Sequence, residues 1–265
     1  MALAFTANEI KNLALQEINH ETISDWTDSS NTDIPIINSQ YALAKSVALT
    51  MYQWSWAFKY VKIPVYKYRY ELPADWESGS TFWLYYPGTV TQITDFSYQS
   101  GGTVFYTNEP SVVMNYYKTG HVWDQANLDG VLVSETMGKY KYATFLPTDF
   151  LGYLACYANE QMTILADYMT VGTLLYSNTD TLYIKYIGAV DEGVFPPEFV
   201  DWFKIFLAQR INGYLNGDMQ RQQLLNGEEP FYFRKAKNID SKRNKHESLS
   251  GNPMLWIRGK IGGGI

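Results

Sequence analysis

Residues 194–215, VFPPEFVDWFKIFLAQRINGYL, constrain the fold more than any other stretch of the chain. Two prolines stand where a helix opens, the position at which a missing backbone N–H costs nothing. Apolar residues then recur on more than one face, so this helix needs neighbours on several sides. Phe199, Trp202, Phe203, Phe206 and Tyr214 are its expected packing residues. No side chain in it is an evident catalyst.

Its neighbours are legible elsewhere. Thr6 and Glu9 have the spacing of a capping box, and Ile10, Leu13, Ala14 and Ile18 continue a helical stripe. After the polar segment TDSSNTD (27–33), a second helix is expected from about Asn38 or Ser39. It would carry Leu43, Val47, Met51 and Trp54 at helical spacing. From Tyr60 the period falls to two. VYKYRYEL places Val65, Lys67 and Arg69 opposite Tyr66, Tyr68 and Tyr70, as one strand would. TFWLYY, TQITDFSY, TVFYT, SVVMNYY and GVLVSE follow between PG, SGG, KTG and LDG turns, so residues 63–145 read as all-β. No repeat of fixed period is visible. YMTVGTLLYS and TLYIKYIG, joined by NTD, read as a hairpin, and residues 216–246 as one or two helices bent near Gly227 and Pro230. The fold class is α+β, with a helical core built from the N- and C-terminal helices. Residues 1–62 and 146–246 are expected to form that core with its hairpin. Residues 63–145 form a Tyr-rich β insertion, and 247–265 an extended arm.

Chemistry is scarce by comparison. A single cysteine, Cys156, excludes an internal disulfide and sits in apolar YLACYANE as a small buried thiol. Nothing in the chain asks for an oxidising compartment, and no apolar run is long enough to span a membrane. His20, His121 and His246 lie in unrelated segments without ligand spacing, so no metal or cofactor is expected. There is no G-x-S-x-G and no phosphate-binding glycine loop. Asp75, Asp95, Asp124, Asp129 and Asp149 stand among aromatics, and paired carboxylates of that kind keep a carbohydrate-binding or carbohydrate-cleaving reading open. Charge is unevenly spread. Residues 234–265 hold eight Lys/Arg against two Asp/Glu, and residues 1–233 hold thirteen against twenty-five. The basic end would grip phosphates or seat on the acidic body of a neighbouring copy.

These landmarks, taken in order, resemble the tail tubular protein A (head-to-tail adaptor) family of short-tailed phages. An N-terminal helix and polar loop lead to a second helix, and then to an aromatic W-x-[FW]-A-x-[KR] signature at Trp54, Trp56, Ala57 and Lys59. L-P-x-D follows at Leu146, Pro147 and Asp149, an L-x-I-x-Y-I strand at Leu182, Ile184, Tyr186 and Ile187, and F-P-P-E-F at residues 195–199. The match covers residues 5–60 and 146–240. An earlier L-P-x-D at Leu72, Pro73 and Asp75 is not followed by the rest of the pattern. The resemblance implies a non-enzymatic virion protein of the tail or neck, made in the host cytoplasm. Its copies would form a ring, typically of twelve, between the portal protein and the tail nozzle protein. Tail fibres are further possible partners, and double-stranded DNA would pass through the lumen without sequence-specific contact. Another tail component, such as a nozzle, stopper or fibre-docking protein, is the alternative within that class. Trp54 and Trp56 would be core, and Trp256, Arg258 and Lys260 assembly contacts.

Overall fold

The computed structural model of the chain describes residues 4–99 and 102–243. It is an α+β protein with antiparallel sheets, divided into two compact units. Among the described residues, the first comprises 4–58, 151–153 and 187–243, and the second 59–99, 102–150 and 154–186. The hairpin region and the second L-P-x-D therefore lie in the β unit rather than in the helical core, and the boundary differs from the expected one.

The first unit is helical. Helix α1 (Ala7–Glu17) opens on the expected capping box: the Thr6 N–H donates to Glu9 Oε2 at 2.7 Å and the Glu9 N–H to Thr6 Oγ1 at 3.3 Å. Helix α2 runs Asp33–Thr50, five or six residues earlier than expected, because Pro35 falls in its first turn, where proline is tolerated. Its buried stripe is Ile37, Tyr41, Ala44 and Ala48, whereas Leu43 and Met51 are about half exposed. The long helix near the C-terminal end of the unit, α4 (Pro197–Leu215), packs against α1, α2 and α5 (Met219–Arg243). Its buried residues (Phe199, Trp202, Phe203, Leu207 and Ile211 among them) occupy several faces, as so apolar a helix requires. α5 is a single helix that continues through Gly227 and Pro230. Glu17 ties three helices together, since Lys204 lies 2.8 Å and Arg221 3.0 Å from its carboxylate.

The second unit holds a short helix, α3 (Val133–Met137), and strands paired in four sheets. In chain order the strands are β1 (Phe58–Ile63), β2 (Tyr68–Glu71), β3 (Phe82–Tyr85), β4 (Gln92–Ile93), β5 (Phe96–Tyr98), β6 (Val104–Thr107), β7 (Ser111–Lys118), β8 (Val122–Asp129), β9 (Val131–Leu132), β10 (Tyr142–Phe145), β11 (Phe150–Tyr157), β12 (Tyr168–Val171), β13 (Leu174–Ser177) and β14 (Leu182–Gly188). The sheet orders are β1-β14-β11, β10-β13-β12, β5-β6-β2-β9 and β4-β3-β7-β8. VYKYRYEL is not one strand. Only residues 68–71 pair continuously, while Val65 and Tyr66 are both buried and Tyr66 makes an isolated bridge to Ala143. GVLVSE likewise turns from β9 into α3. The hairpin expected across NTD is absent: β12 pairs β13 around Gly172, and NTD carries the chain from β13 into a different sheet.

The β unit is an internal duplication that the lack of a fixed period conceals. Residues 66–75 (YKYRYELPAD) and 140–149 (YKYATFLPTD) are identical at six of ten positions. β2 pairs β6 with Tyr68 opposite Thr107, and β10 pairs β13 with Tyr142 opposite Ser177; β5 and β12 add the third strand in matching register. Equivalent hydrogen bonds recur. Lys67 N–H donates to Asn108 Oδ1 at 3.1 Å and Lys141 N–H to Asn178 Oδ1 at 3.2 Å. Leu72 N–H donates to Thr103 O at 2.9 Å and Leu146 N–H to Thr173 O at 2.8 Å. Inward residues correspond as well: Phe105 with Leu175, Val112 with Leu182, Met114 with Ile184 and Tyr116 with Tyr186, all buried. The copies meet through equivalent residues, Tyr66 with Tyr140 and Tyr106 with Tyr176 sharing one buried cluster. The first L-P-x-D therefore opens a second copy of the β module, although L-x-I-x-Y-I and F-P-P-E-F do not follow it. The two copies escape detection by period because the L-P-x-D segments lie 74 residues apart and the β6–β7 and β13–β14 segments only 70.

Candidate functional site

Trp54 is the hub of the helical unit. It is 1% exposed, donates from Nε1 to Ala48 O at 2.9 Å, and lies 5.0 Å from Phe199, 5.7 Å from Trp202 and 6.2 Å from Phe233, centroid to centroid. Trp56 is half-buried against Phe195 and Phe199. Trp202 and Phe203 are fully buried, and Trp202 Nε1 donates to Glu229 Oε1 at 2.6 Å. Phe206 is partly buried, stacked on Trp202, with the Arg210 guanidinium over its ring, 4.7 Å from the centroid. Tyr214 is the exception among the expected core residues, since it is 63% exposed. It continues the line of Leu207 and Ile211 but stands in the last turn of α4, where the chain leaves for α5 and cover ends.

Of the five aspartates that stand among aromatics, Asp75, Asp95 and Asp149 accept from tyrosines. Tyr116 OH donates to Asp75 Oδ1 and, in the second copy, Tyr186 OH to Asp149 Oδ1, each at 2.9 Å. Tyr66 bonds to Asp95 as Tyr140 does to Asp167. Burial pushes the Tyr116 and Tyr186 phenols up to about 12, and the carboxylates they donate to push the same way. Burial also works to raise Asp149, but hydrogen bonds from Lys59 and Tyr186 outweigh it and hold the carboxyl below its ordinary value. The Lys118 ammonium, 3.0 Å away, holds Asp124 down in the same way. A general acid needs a raised carboxyl pKa, so the environments of Asp124 and Asp149 suit ion pairs. Asp129 lies close enough to Tyr70 to help raise that phenol's pKa.

Cys156 is 1% exposed, and burial pushes its thiol up to about 12, far from the thiolate a nucleophile requires. His20 faces Asp33 and His121 faces Glu77 in separate units, and among the described residues no cluster of His, Cys, Asp and Glu could hold a metal ion. His246, Trp256, Arg258 and Lys260 lie outside the described residues.

What the helical unit does present is the outer side of α5. Leu224 and Phe231, seven residues apart on one face, are 56% and 59% exposed. Beyond Phe231 the same helix lines a shallow depression of about 470 Å³ with Arg234, Lys235, Asn238 and Lys242. An apolar strip continued by cations suits protein contact rather than chemistry on a small molecule. This face is not legible in the sequence, because Gly227 and Pro230 suggest a bend where α5 runs on as one helix.

No family model matches the chain, and no curated protein is significantly similar to it in sequence. Among the described residues no helix is long and apolar enough to cross a membrane.

Proposed function

We propose that the chain is a structural virion protein, a head-to-tail adaptor whose copies form a ring between the capsid portal and the tail nozzle and leave a passage for DNA. One observation carries the reading. The landmarks behind the resemblance, distant in sequence, converge: Trp54 and Trp56 of the aromatic signature pack on Phe195 and Phe199 of F-P-P-E-F in a single cluster. The duplication also supports it, because the β-region that departs from the family pattern is a second copy of the module that matches it.

In this account the chain works by packing and assembly and performs no catalysis. The Leu224–Phe231 strip of α5 seats against a neighbouring copy or the portal, and the basic end, with Trp256, Arg258 and Lys260, reaches a partner ring. An acidic body lining the passage would repel DNA and let it slide. Co-sedimentation with portal rings from the same virus tests the reading. The wild-type chain is expected to travel with the rings, and Phe231→Ala, which alters only an exposed ring, to lose at least tenfold in affinity while unfolding like wild type. A wild-type chain that stays at the top of the gradient would contradict the proposal.

A further inference from the structure

The two copies of the β module bury corresponding inward positions and differ outward, and the outward face of the first copy has its own chemistry. In the sheet β4-β3-β7-β8, Val112, Met114 and Tyr116 point into the core, and the intervening residues point out. Cross-strand pairing aligns Trp83 with Asn115, Asn115 with Gln125, and Tyr117 with Trp123 on that outer face. Trp123, 51% exposed, lies 5.1 Å from Trp83 and 4.4 Å from Tyr117, centroid to centroid and tilted by 34° in each case. The three rings form one platform. Beside it Gln125 Nε2 donates to Asn115 Oδ1 at 3.0 Å, and Gln125 and Asn127 line an open depression of about 650 Å³ with Thr89, Thr91 and Val113.

The second copy shows that the fold does not require this arrangement. At the positions of Val113 and Asn115 it carries Tyr183 and Lys185. There the Lys185 ammonium sits 5.1 Å from the Tyr60 ring and the Lys62 ammonium 5.7 Å from Tyr183, so cations occupy that copy's rings. The first copy has rings beside neutral amides instead; its carboxylate Asp124 points to the opposite side, where Lys118 holds it, and at the platform's edge His121, 5.8 Å from the Tyr117 ring, pairs with Glu77 at 2.7 Å.

We propose that this face binds a neutral polysaccharide. The C–H face of a pyranose stacks on an aromatic platform, whose rings supply large apolar area with little entropy to lose. Asn and Gln amides both donate and accept, matching sugar hydroxyls, which do the same. The six residues Trp83, Asn115, Tyr117, Trp123, Gln125 and Asn127 include no formal charge, which favours a neutral over an acidic chain. The depression beyond Gln125 gives the polymer a second, hydroxyl- and amide-lined contact. This binding is independent of ring assembly.

Native affinity electrophoresis of the full chain tests it, in gels cast with hydroxyethylcellulose, arabinoxylan, galactomannan, dextran or yeast mannan. At least one gel is expected to retard the protein. Trp123→Ala should weaken the interaction at least tenfold by calorimetry on that polysaccharide, and Asn115→Ala several-fold. Tyr60→Ala, on the second copy's face, should leave it unchanged. Unaltered circular dichroism in Trp123→Ala separates lost binding from lost fold, and Asn115→Ala provides a second reading with the platform intact. Retardation in none of the gels overturns the proposal. So does retardation that survives both substitutions, or capture of a protein partner through Trp123 with no polysaccharide bound.

Discussion

A buried tyrosine whose hydroxyl donates to an aspartate recurs at corresponding places in both β modules, Tyr116 to Asp75 and Tyr186 to Asp149. Hydrogen bonds to charged acceptors contribute about 1.5–3 kcal/mol each. Asparagine keeps an acceptor oxygen, so Asp75→Asn, at an exposed carboxylate, should cost less than about 1.5 kcal/mol in urea unfolding, and Asp149→Asn more, because its ion pair with Lys59 is lost as well. The Asp149 carboxyl titrates below its ordinary value of 3.8 in the folded chain. Its contribution is therefore complete above about pH 4 and disappears as pH falls through the depressed pKa. The stability gap between wild type and Asp149→Asn should accordingly be constant near neutrality and close on acidification. A gap that widened towards low pH would show that this carboxylate is not held ionised by Lys59 and Tyr186. The same pairing explains why acids among aromatics looked like a glycosidase cleft in sequence: residue type reveals a carboxylate and a ring, but not that the ring is the carboxylate's own hydrogen-bond donor.

At the scale of elements, local signals were read well and long-range ones poorly. The capping box of α1 and the double-proline start of α4 are encoded within a few residues, and both stand where the sequence places them. The edge between β9 and α3, the continuity of α5 through Pro230, and the partner of β13 depend on contacts made far along the chain. β8, which carries Trp123, is hard to see in sequence because Asp124, Asn127 and Asp129 are poor strand formers. The duplication stayed hidden because copies with unequal loops share no period, although YKY-x-x-x-LP-x-D is plainly written twice. Packing separates aromatic residues that look alike in sequence, such as Trp54 and Tyr214. Trp54→Ala removes the ring against which five others pack and should cost the helical unit about 3–5 kcal/mol. Tyr214→Ala should change stability by less than about 0.5 kcal/mol, as exposed substitutions do. Denaturant midpoints of the two variants check both. Equal losses would mean that α4 buries its last turn after all.

For the whole molecule, the helical unit supplies a rigid aromatic core and one exposed apolar-to-basic strip, while the β unit supplies two modules with one interior and two different exteriors. Duplicating a module and changing only its outer face adds a contact without disturbing the fold, which suits a protein that meets several partners at once. The adaptor account makes the copy number its most direct consequence, because a ring seated on a portal must match it. Mass photometry of the chain, alone and mixed with portal rings, reads that number. The account predicts a discrete added mass of one copy of this 30.4 kDa chain per portal subunit. Portal rings whose mass is unchanged at saturating chain concentration would contradict it.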